Sequence, residues 1–598
     1  SPARAMAPRC PLGIAIRTGV HTHVRHRLHA HTLPFTVAGS PHLAGFNGIR
    51  LPSLAEGRRL CTFTRASFEL SKEPLLDYVK ARGDWANAPA DKPALICEAT
   101  GRAITFRELG PRIAGAAHEL RARGFEQGDV LSLHMHNMPE YVIGFFAALS
   151  LGGVVTTSNP AYTATELAHQ FGDSGATHFV TCDAYKDTVI KAIVTSGVLP
   201  KSQIESAESE TCFVNAPPAE FFPELETPID VERGLAVLPY SSGTTGRPKG
   251  VMLSQFNICA NVQQTAFADE THAYSINADD VMMGVLPLFH IYGLAVLMCV
   301  ALARQATLVL MPKFEPDRFL KAIQDYKITQ APVVPPIIVF LTKHPMVEQY
   351  DLSSLRSILS GAAPLDAHLQ AAVAERLRCA CRQGYGMTEL SPIVSFSPRD
   401  PDAIVLGSCG KLAANTTVKI VDSLTREALP VGSEGELCVK GPQVMQGYLN
   451  RPDATAESID ADGFLITGDL ARIDETGTLF IGDRVKELIK VKGFQVAPAE
   501  LEGLLLKHTD VADVCVIGVP DERHGQLPCA YVVPRNEAHL DAEILLDFLK
   551  PHVAEFKLPQ TFRFVDSVPK SASGKLLRRA IAELEAKRGS EAEGIKQE

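Results

Sequence analysis

No two of the thirteen cysteines form a CxxC pair. The closest, Cys379 and Cys381, lack the two further ligands at set spacing that a structural zinc site needs. Cysteines so scattered read as reduced, mostly buried thiols of a protein that is not secreted. No apolar run approaches the ~20 residues of a membrane-spanning helix. The longest, 292–303, stops at Arg304 and reads as a core helix. Positive charge is not in excess: 58 basic against 68 acidic residues leave a net charge of −10, which argues against a nucleic-acid partner. No internal repeat is visible. Lysine is missing from the first 60 residues, and so is any acid before Glu56, while eight arginines and six histidines are present. That composition fits a mitochondrial or plastid transit segment, and equally a disordered extension without function. The final residues, 595–598, do not read SKL, so no peroxisomal address of that type is expected; otherwise the protein reads as cytoplasmic.

What is present points to a soluble multidomain enzyme. A chain of 598 residues exceeds one ordinary core. Residues 106–121 have a helical pattern, and 141–155 read as a helix closing through Gly152-Gly153 into a strand. Strand and helix patterns then alternate to about residue 400, which predicts an α/β architecture. Ser254 can cap a helix running through Gln264. Residues 405–448, richer in β-branched side chains and glycine, predict a small β-subdomain. Beyond a junction at 483–486, a helix over 499–506, a strand over 511–519 and a helix over 541–555 suffice for a small α+β domain. The charged tail from Ala586 is expected to fray.

The densest chemistry lies in YSSGTTGRPKGV, residues 240–251. Glycines, hydroxyls and two cations suit a polyphosphate, since backbone amides and hydroxyls donate to its oxygens and glycine allows close approach. The spacing is not that of a Walker A loop, and a plain flexible loop is the alternative. In GYGMTE, residues 384–389, a tyrosine between glycines can offer a bare face to adenine, and the following hydroxyl and carboxylate suit a phosphate oxygen and Mg²⁺. Taken alone, this motif and SGAAPL, residues 360–365, are turns. Asp469 can accept both ribose hydroxyls, and Arg484 can reach ribose or phosphate. Arg484, Lys486, Lys490 and Lys492 form either a functional face or a solvated one. Lys575, in SASGK, is a mobile cation able to neutralise a transferring phosphoryl group. His290, in PLFHIYG, is a core histidine or a neighbour of the substrate acid.

These motifs, with residues 467–502 and PKSASGK (569–575), occur in the order found in the adenylate-forming superfamily of acyl-CoA synthetases, 4-coumarate–CoA ligases and beetle luciferases. The chain resembles that superfamily from about Pro74 to Glu585, and 4-coumarate–CoA ligases most. The resemblance implies an α/β fold: a large N-terminal domain of α/β subdomains plus a small β-subdomain (61–483), then a small mobile α+β C-terminal lid (484–586) and a charged tail (587–598), with 1–60 preceding. It implies two steps, acid plus ATP to acyl-AMP and pyrophosphate, then coenzyme A to the thioester. Alternatives are a medium-chain fatty acyl-CoA synthetase, a luciferase-like oxidoreductase and a loader of carrier proteins.

By resemblance, Ser241, Ser242, Gly243, Thr244, Thr245, Gly246 and Lys249 meet the phosphates. Ala362, Gly384, Tyr385, Gly386, Thr388, Asp469, Arg484, Lys486, Gln495 and Lys575 complete the ATP/AMP site. Thr245 and Glu389 take Mg²⁺; Thr245, Glu389, His290, Lys490 and Lys575 are catalytic; and Lys492 and Gly493 meet coenzyme A. His290, Ile291, Tyr292, Val296, Leu359, Ala362, Gly384, Pro392 and Ile393 form the acid pocket. The chain departs from plant coumarate ligases at Leu390-Ser391, usually Ala-Gly there, and at Val296, often Ser. The lid is expected to close with Lys575 for adenylation and turn about Lys486 to bring Lys490, Lys492, Gly493 and Gln495 inward for thiol attack.

Overall fold

Local sequence sets the element ends. Thr105 and Glu108 form a reciprocal capping box, which starts the helix Phe106–Ala122. Its buried positions Phe106, Leu109, Ile113, Ala117 and Leu120 recur at helical spacing and face the core. Ser254 caps the helix Gln255–Ala266, its Oγ accepting from Asn257 N–H at 3.1 Å while Asn257 Oδ1 accepts from Ser254 N–H at 3.0 Å. In this computed structural model residues 62–65, 67–241, 248–266, 276–491, 494–521, 523–535, 540–571 and 574–594 are described. The candidate transit segment, 1–60, lies outside them.

Two sheets build the N-terminal part. One has seven strands, in the order Gly447–Tyr448, Lys249–Ser254, Leu235–Ser241, Val154–Thr157, Val130–His134, His178–Thr181 and Glu205–Ser206. Three of its strands, Val154–Thr157, Val130–His134 and His178–Thr181, are parallel and buried along their whole lengths, as sheets covered on both faces require. Leu235–Ser241 and Lys249–Ser254 are antiparallel, with Ser241 opposite Lys249, so the phosphate-loop motif joins the ends of a hairpin.

The second sheet has fourteen strands. Ala380–Gly386 divides it: this strand pairs in parallel with Ser357–Ser360 and antiparallel with Ile393–Phe396. The segment expected as a small β-subdomain does supply β-strands, and they pair on from the α/β sheet. Its strands Gly410–Leu412, Thr417–Val421, Gly435–Lys440, Leu465–Ile473 and Thr478–Arg484 extend the antiparallel half.

The small C-terminal domain has a five-stranded sheet built from Ile489–Val491, Phe494–Val496, Val511–Asp521, Gly525–Pro534 and Thr561–Phe564. Helices Pro498–Leu505 and Ala542–Leu549 pack on it over a core of its own, including Val491, Leu501, Val516, Val532 and Leu549. The second helix stops six residues short of the expected 555. Lys550 still holds helical angles (φ −48°, ψ −41°), but Pro551 has no N–H to continue the ladder and its ring crowds the preceding turn. The tail does not fray at Ala586 but stays helical within Arg578–Gly594.

The apolar run 292–303 is a buried helix, but mostly of π form: Tyr292–Cys299 is π-helical and Val300–Ala303 α-helical. π turns concentrate at functional sites. Among the described residues no helix is long and apolar enough to cross a membrane.

Candidate active site

The ends of Ser357–Ser360 and Ala380–Gly386 and the entry to the π-helix surround a cavity. Its lining is His290, Ile291, Tyr292, Leu359, Ser360, Gly361, Ala362, Gly384, Gly386, Met387, Thr388, Pro392, Ile393 and Lys575. The strand ends are where ligands bind in open α/β sheets. Ser360, Gly361 and Met387 belong to the motifs SGAAPL and GYGMTE, but the sequence assigned them no individual role. Val296 is a correction. It is not in the lining but sits further along the π-helix, 1% exposed in the core.

Lys575 reaches this cavity from the C-terminal domain. Its loop closes on itself: Ser571 N–H donates to Lys575 O at 2.8 Å and Lys575 N–H to Ser571 Oγ at 3.1 Å. Gly574 has φ +76°, a value glycine adopts freely, and a Cβ there would lie 3.3 Å from Val334 and Pro336 of the large domain. The lysine loop is thus seated on that domain. Burial lowers the Lys575 pKa, as does Arg484, while Asp469, Glu389 and Glu487 oppose the shift. Burial, helped by the Lys575 ammonium, holds His290 down at about 3. His290 is therefore neutral, and its Nδ1 accepts from Tyr292 N–H at 3.3 Å, which assigns the ring proton to Nε2. Tyr292 Oη donates to Leu359 O at 3.0 Å and so ties the helix entry to the strand.

Between the lining residues Gly384 and Gly386, Tyr385 donates its hydroxyl to Asp469 Oδ2 at 2.6 Å. Arg484 stands opposite Asp469 across the antiparallel pair, its Nε 3.2 Å from Asp469 Oδ1. Burial, then Asp469, drive the Tyr385 pKa well up, so the hydroxyl stays a donor. Three residues distant in sequence form one unit. Glu389 is buried, and its Oε1 accepts from Tyr448 Oη at 2.8 Å. Lys249 Nζ lies 4.9 Å from the centroid of the Tyr448 ring. Tyr448 was not recognised in the sequence, where it is one aromatic in a glycine-rich β segment.

Residues 242–247, and with them Ser242, Gly243, Thr244, Thr245 and Gly246, lie outside the described residues, as do Lys492, Gly493 and the side chain of Gln495. Lys486 and Lys490 are exposed and absent from the cavity lining. Ala362 holds φ +72°, costly for a residue with a Cβ and typical of a site whose surroundings over-determine it. Gly386 is demanded by space: a Cβ there would stand 2.1 Å from the Pro392 carbonyl oxygen. Gly386→Ala is expected to displace the 384–389 segment and lower the affinity for ATP at least about tenfold, with a destabilisation of roughly 1–3 kcal/mol. Calorimetric titration of ATP and a thermal melt check both.

The chain matches the AMP-binding enzyme family over residues 83–449 and the AMP-binding enzyme C-terminal domain over 500–575. It is 41% identical over 505 residues to 4-coumarate–CoA ligase of Pinus taeda, covering 82% of this chain and 92% of that one. It is 40% identical over 507 residues to 4-coumarate–CoA ligase CCL1 of Humulus lupulus, covering 82% and 90%. ATP-bound MatB from Rhodopseudomonas palustris superposes with a TM-score of 0.76 at 30% identity, covering 85% of this chain and 98% of that one. Cavity, Glu389 and Lys575 fall within the two matched regions, Asp469 and Arg484 between them, and the chain belongs to the AMP-binding enzymes, the adenylate-forming superfamily.

Proposed function

We propose that this AMP-forming acid–thiol ligase activates a monocarboxylic acid with an apolar body, an arylpropenoate such as 4-coumarate, and transfers it to coenzyme A. The carrying observation is the charge inventory of the cavity. Its lining has one cation, Lys575, no acid, and a histidine held neutral. A second carboxylate or an amine on the substrate tail would be buried without a counter-charge, at a cost of several kcal/mol in order of magnitude. The names of the relatives agree with this choice.

The substrate carboxylate attacks the α-phosphorus of ATP and pyrophosphate leaves. Lys575 supplies positive charge to the transition state. Ser241 and Lys249 hold the departing phosphates at the hairpin ends, Tyr385 meets adenine, and Asp469 with Arg484 holds the ribose. Glu389 fits a hard divalent cation: one carboxylate oxygen is anchored by Tyr448, and the other has no hydrogen-bond partner among the described residues. When bound, Mg²⁺ supplies charge to the phosphates. The lid then turns about Lys486, Lys490 enters the cleft, and the thiol displaces AMP.

Pyrophosphate release, with and without coenzyme A, is the test, using coumarate, cinnamate, hexanoate, decanoate, acetate and phenylalanine. Coumarate and cinnamate are expected to lead. A clear preference for acetate or phenylalanine would refute the reading of the cavity, and oxygen uptake with light or carbonyl products would favour a luciferase-like oxidation.

A further inference from the structure

Tyr448 ends the strand Gly447–Tyr448, paired antiparallel to Lys249–Ser254 with Tyr448 opposite Val251. Its backbone is pinned on both sides. Tyr448 N–H donates to Thr455 Oγ1 at 2.9 Å, and the next amide, of Leu449, donates to Gly250 O at 2.9 Å. The side chain is thereby fixed against two groups of opposite charge. Its hydroxyl donates to Glu389 Oε1 at 2.8 Å, and its ring carries Lys249 Nζ 4.9 Å from the centroid. No ion pair joins Lys249 to Glu389 among the described residues.

We propose that Tyr448 is a positioning residue of the adenylation half-reaction, holding Glu389 and Lys249 in place without neutralising either. The physical reason lies in the kind of contact. A lysine or arginine could anchor Glu389 as firmly, but would cancel the charge a divalent cation needs. A carboxylate could anchor Lys249, but would cancel the charge the leaving phosphates need. A phenol donates one hydrogen bond to the carboxylate and offers a π face to the ammonium, so both keep full charge. The inference rests on the roles given above to Glu389 and Lys249.

The test separates the two contacts by measuring ATP affinity calorimetrically, without acid, in Mg²⁺ and in EDTA. Tyr448→Phe keeps the ring and loses the hydroxyl. It is expected to reduce the gain in ATP affinity that Mg²⁺ confers by roughly tenfold, the low end for a lost outer-shell partner, with little change in EDTA. The Mg²⁺ concentration for half-maximal pyrophosphate release should rise in parallel. Tyr448→Leu should also weaken ATP binding in EDTA, through Lys249. Thioester formation from supplied acyl-AMP should be spared in both. Glu389→Gln is the control. If it abolishes the Mg²⁺ gain while Tyr448→Phe leaves that gain intact, the proposal for Tyr448 is overturned and the role of Glu389 stands. If Glu389→Gln leaves the gain intact, the role of Glu389 fails and the proposal with it. Equal loss in the supplied acyl-AMP reaction would mark general damage and also overturn it.

Discussion

Lys575→Ala is expected to slow adenylation by about 10²–10³-fold, the range for a lost electrostatic donor, and to leave thioester formation from supplied acyl-AMP within a few-fold of wild type. The reason is placement. Among the described residues, Lys575 is the only cation in the cavity lining, and it reaches the cavity from the other domain. Its pKa is lowered by burial, yet Asp469, Glu389 and Glu487 support the ammonium. Nothing else in the lining can replace that charge. Lys490→Ala should behave in the opposite way. With Lys575 seated, Lys490 is exposed on the strand Ile489–Val491, its amide donating to Gln526 Oε1 at 2.9 Å. Its removal should spare acyl-AMP formation and impair the coenzyme A step. Acid-dependent pyrophosphate release, and coenzyme A transfer from supplied acyl-AMP, read the two steps separately. Loss of both steps together in either variant would sink the account of one lid with two poses.

Arg578→Ala should destabilise the C-terminal domain by about 3–5 kcal/mol at pH 8, because a buried cation is removed from among carboxylates. Arg578 Nη2 lies 2.8 Å from Glu502 Oε2 and 3.9 Å from Asp483 Oδ1, and its Nε 3.0 Å from Glu487 Oε2. Ala499 N–H also donates to Asp483 at 2.7 Å, so the cluster joins the junction strand to the domain beyond it. Burial outweighs the guanidinium at both buried acids. Glu502 is pushed from 4.5 up to about 7, and Asp483 from 3.8 up to about 6. A carboxyl whose pKa is higher folded than unfolded contributes stability that is full below the unfolded value and is lost as pH rises through the folded one. The windows here run from 3.8 to about 6 and from 4.5 to about 7. Without Arg578 both acids should titrate higher still. The deficit should therefore be small at pH 5, where they can hold protons, and largest at pH 8, where each must carry charge unpaired. Urea denaturation of wild type and variant at both pH values measures it. An equal deficit at the two values, or one under about 1 kcal/mol at pH 8, would contradict the assignment.

Features carried by contiguous residues were legible in the sequence. The helical pattern over 106–121, the helix capped by Ser254 and the buried run 292–303 follow from propensity, capping and apolar spacing over a few turns of chain, whereas the hairpin around 240–251 and the strand ending in GYG were read only as loop and turn. Recognition of the superfamily rested on the same kind of signal, because each motif packs its chemistry into a handful of neighbours. Longer reach defeated it. Val296 is adjacent to the pocket motif in sequence, but the π-helical turn carries it into the core. The expected β-subdomain is composed as predicted, yet strand pairing at Ala380–Gly386 makes it one sheet with the α/β half.

By itself, then, the sequence determined the family, the order of elements and the residue types available for acid activation. Only the tertiary structure decided which of them meet. Tyr448 finds Glu389 across 59 residues, Tyr385 finds Asp469 across 84, and Arg578 finds Glu502 across 76. It also decided which lysine of the lid stands in the cavity and which in solvent. Such contacts depend on the packing of whole sheets and domains, where many weak, non-directional contributions add, and no local pattern of residues records that sum.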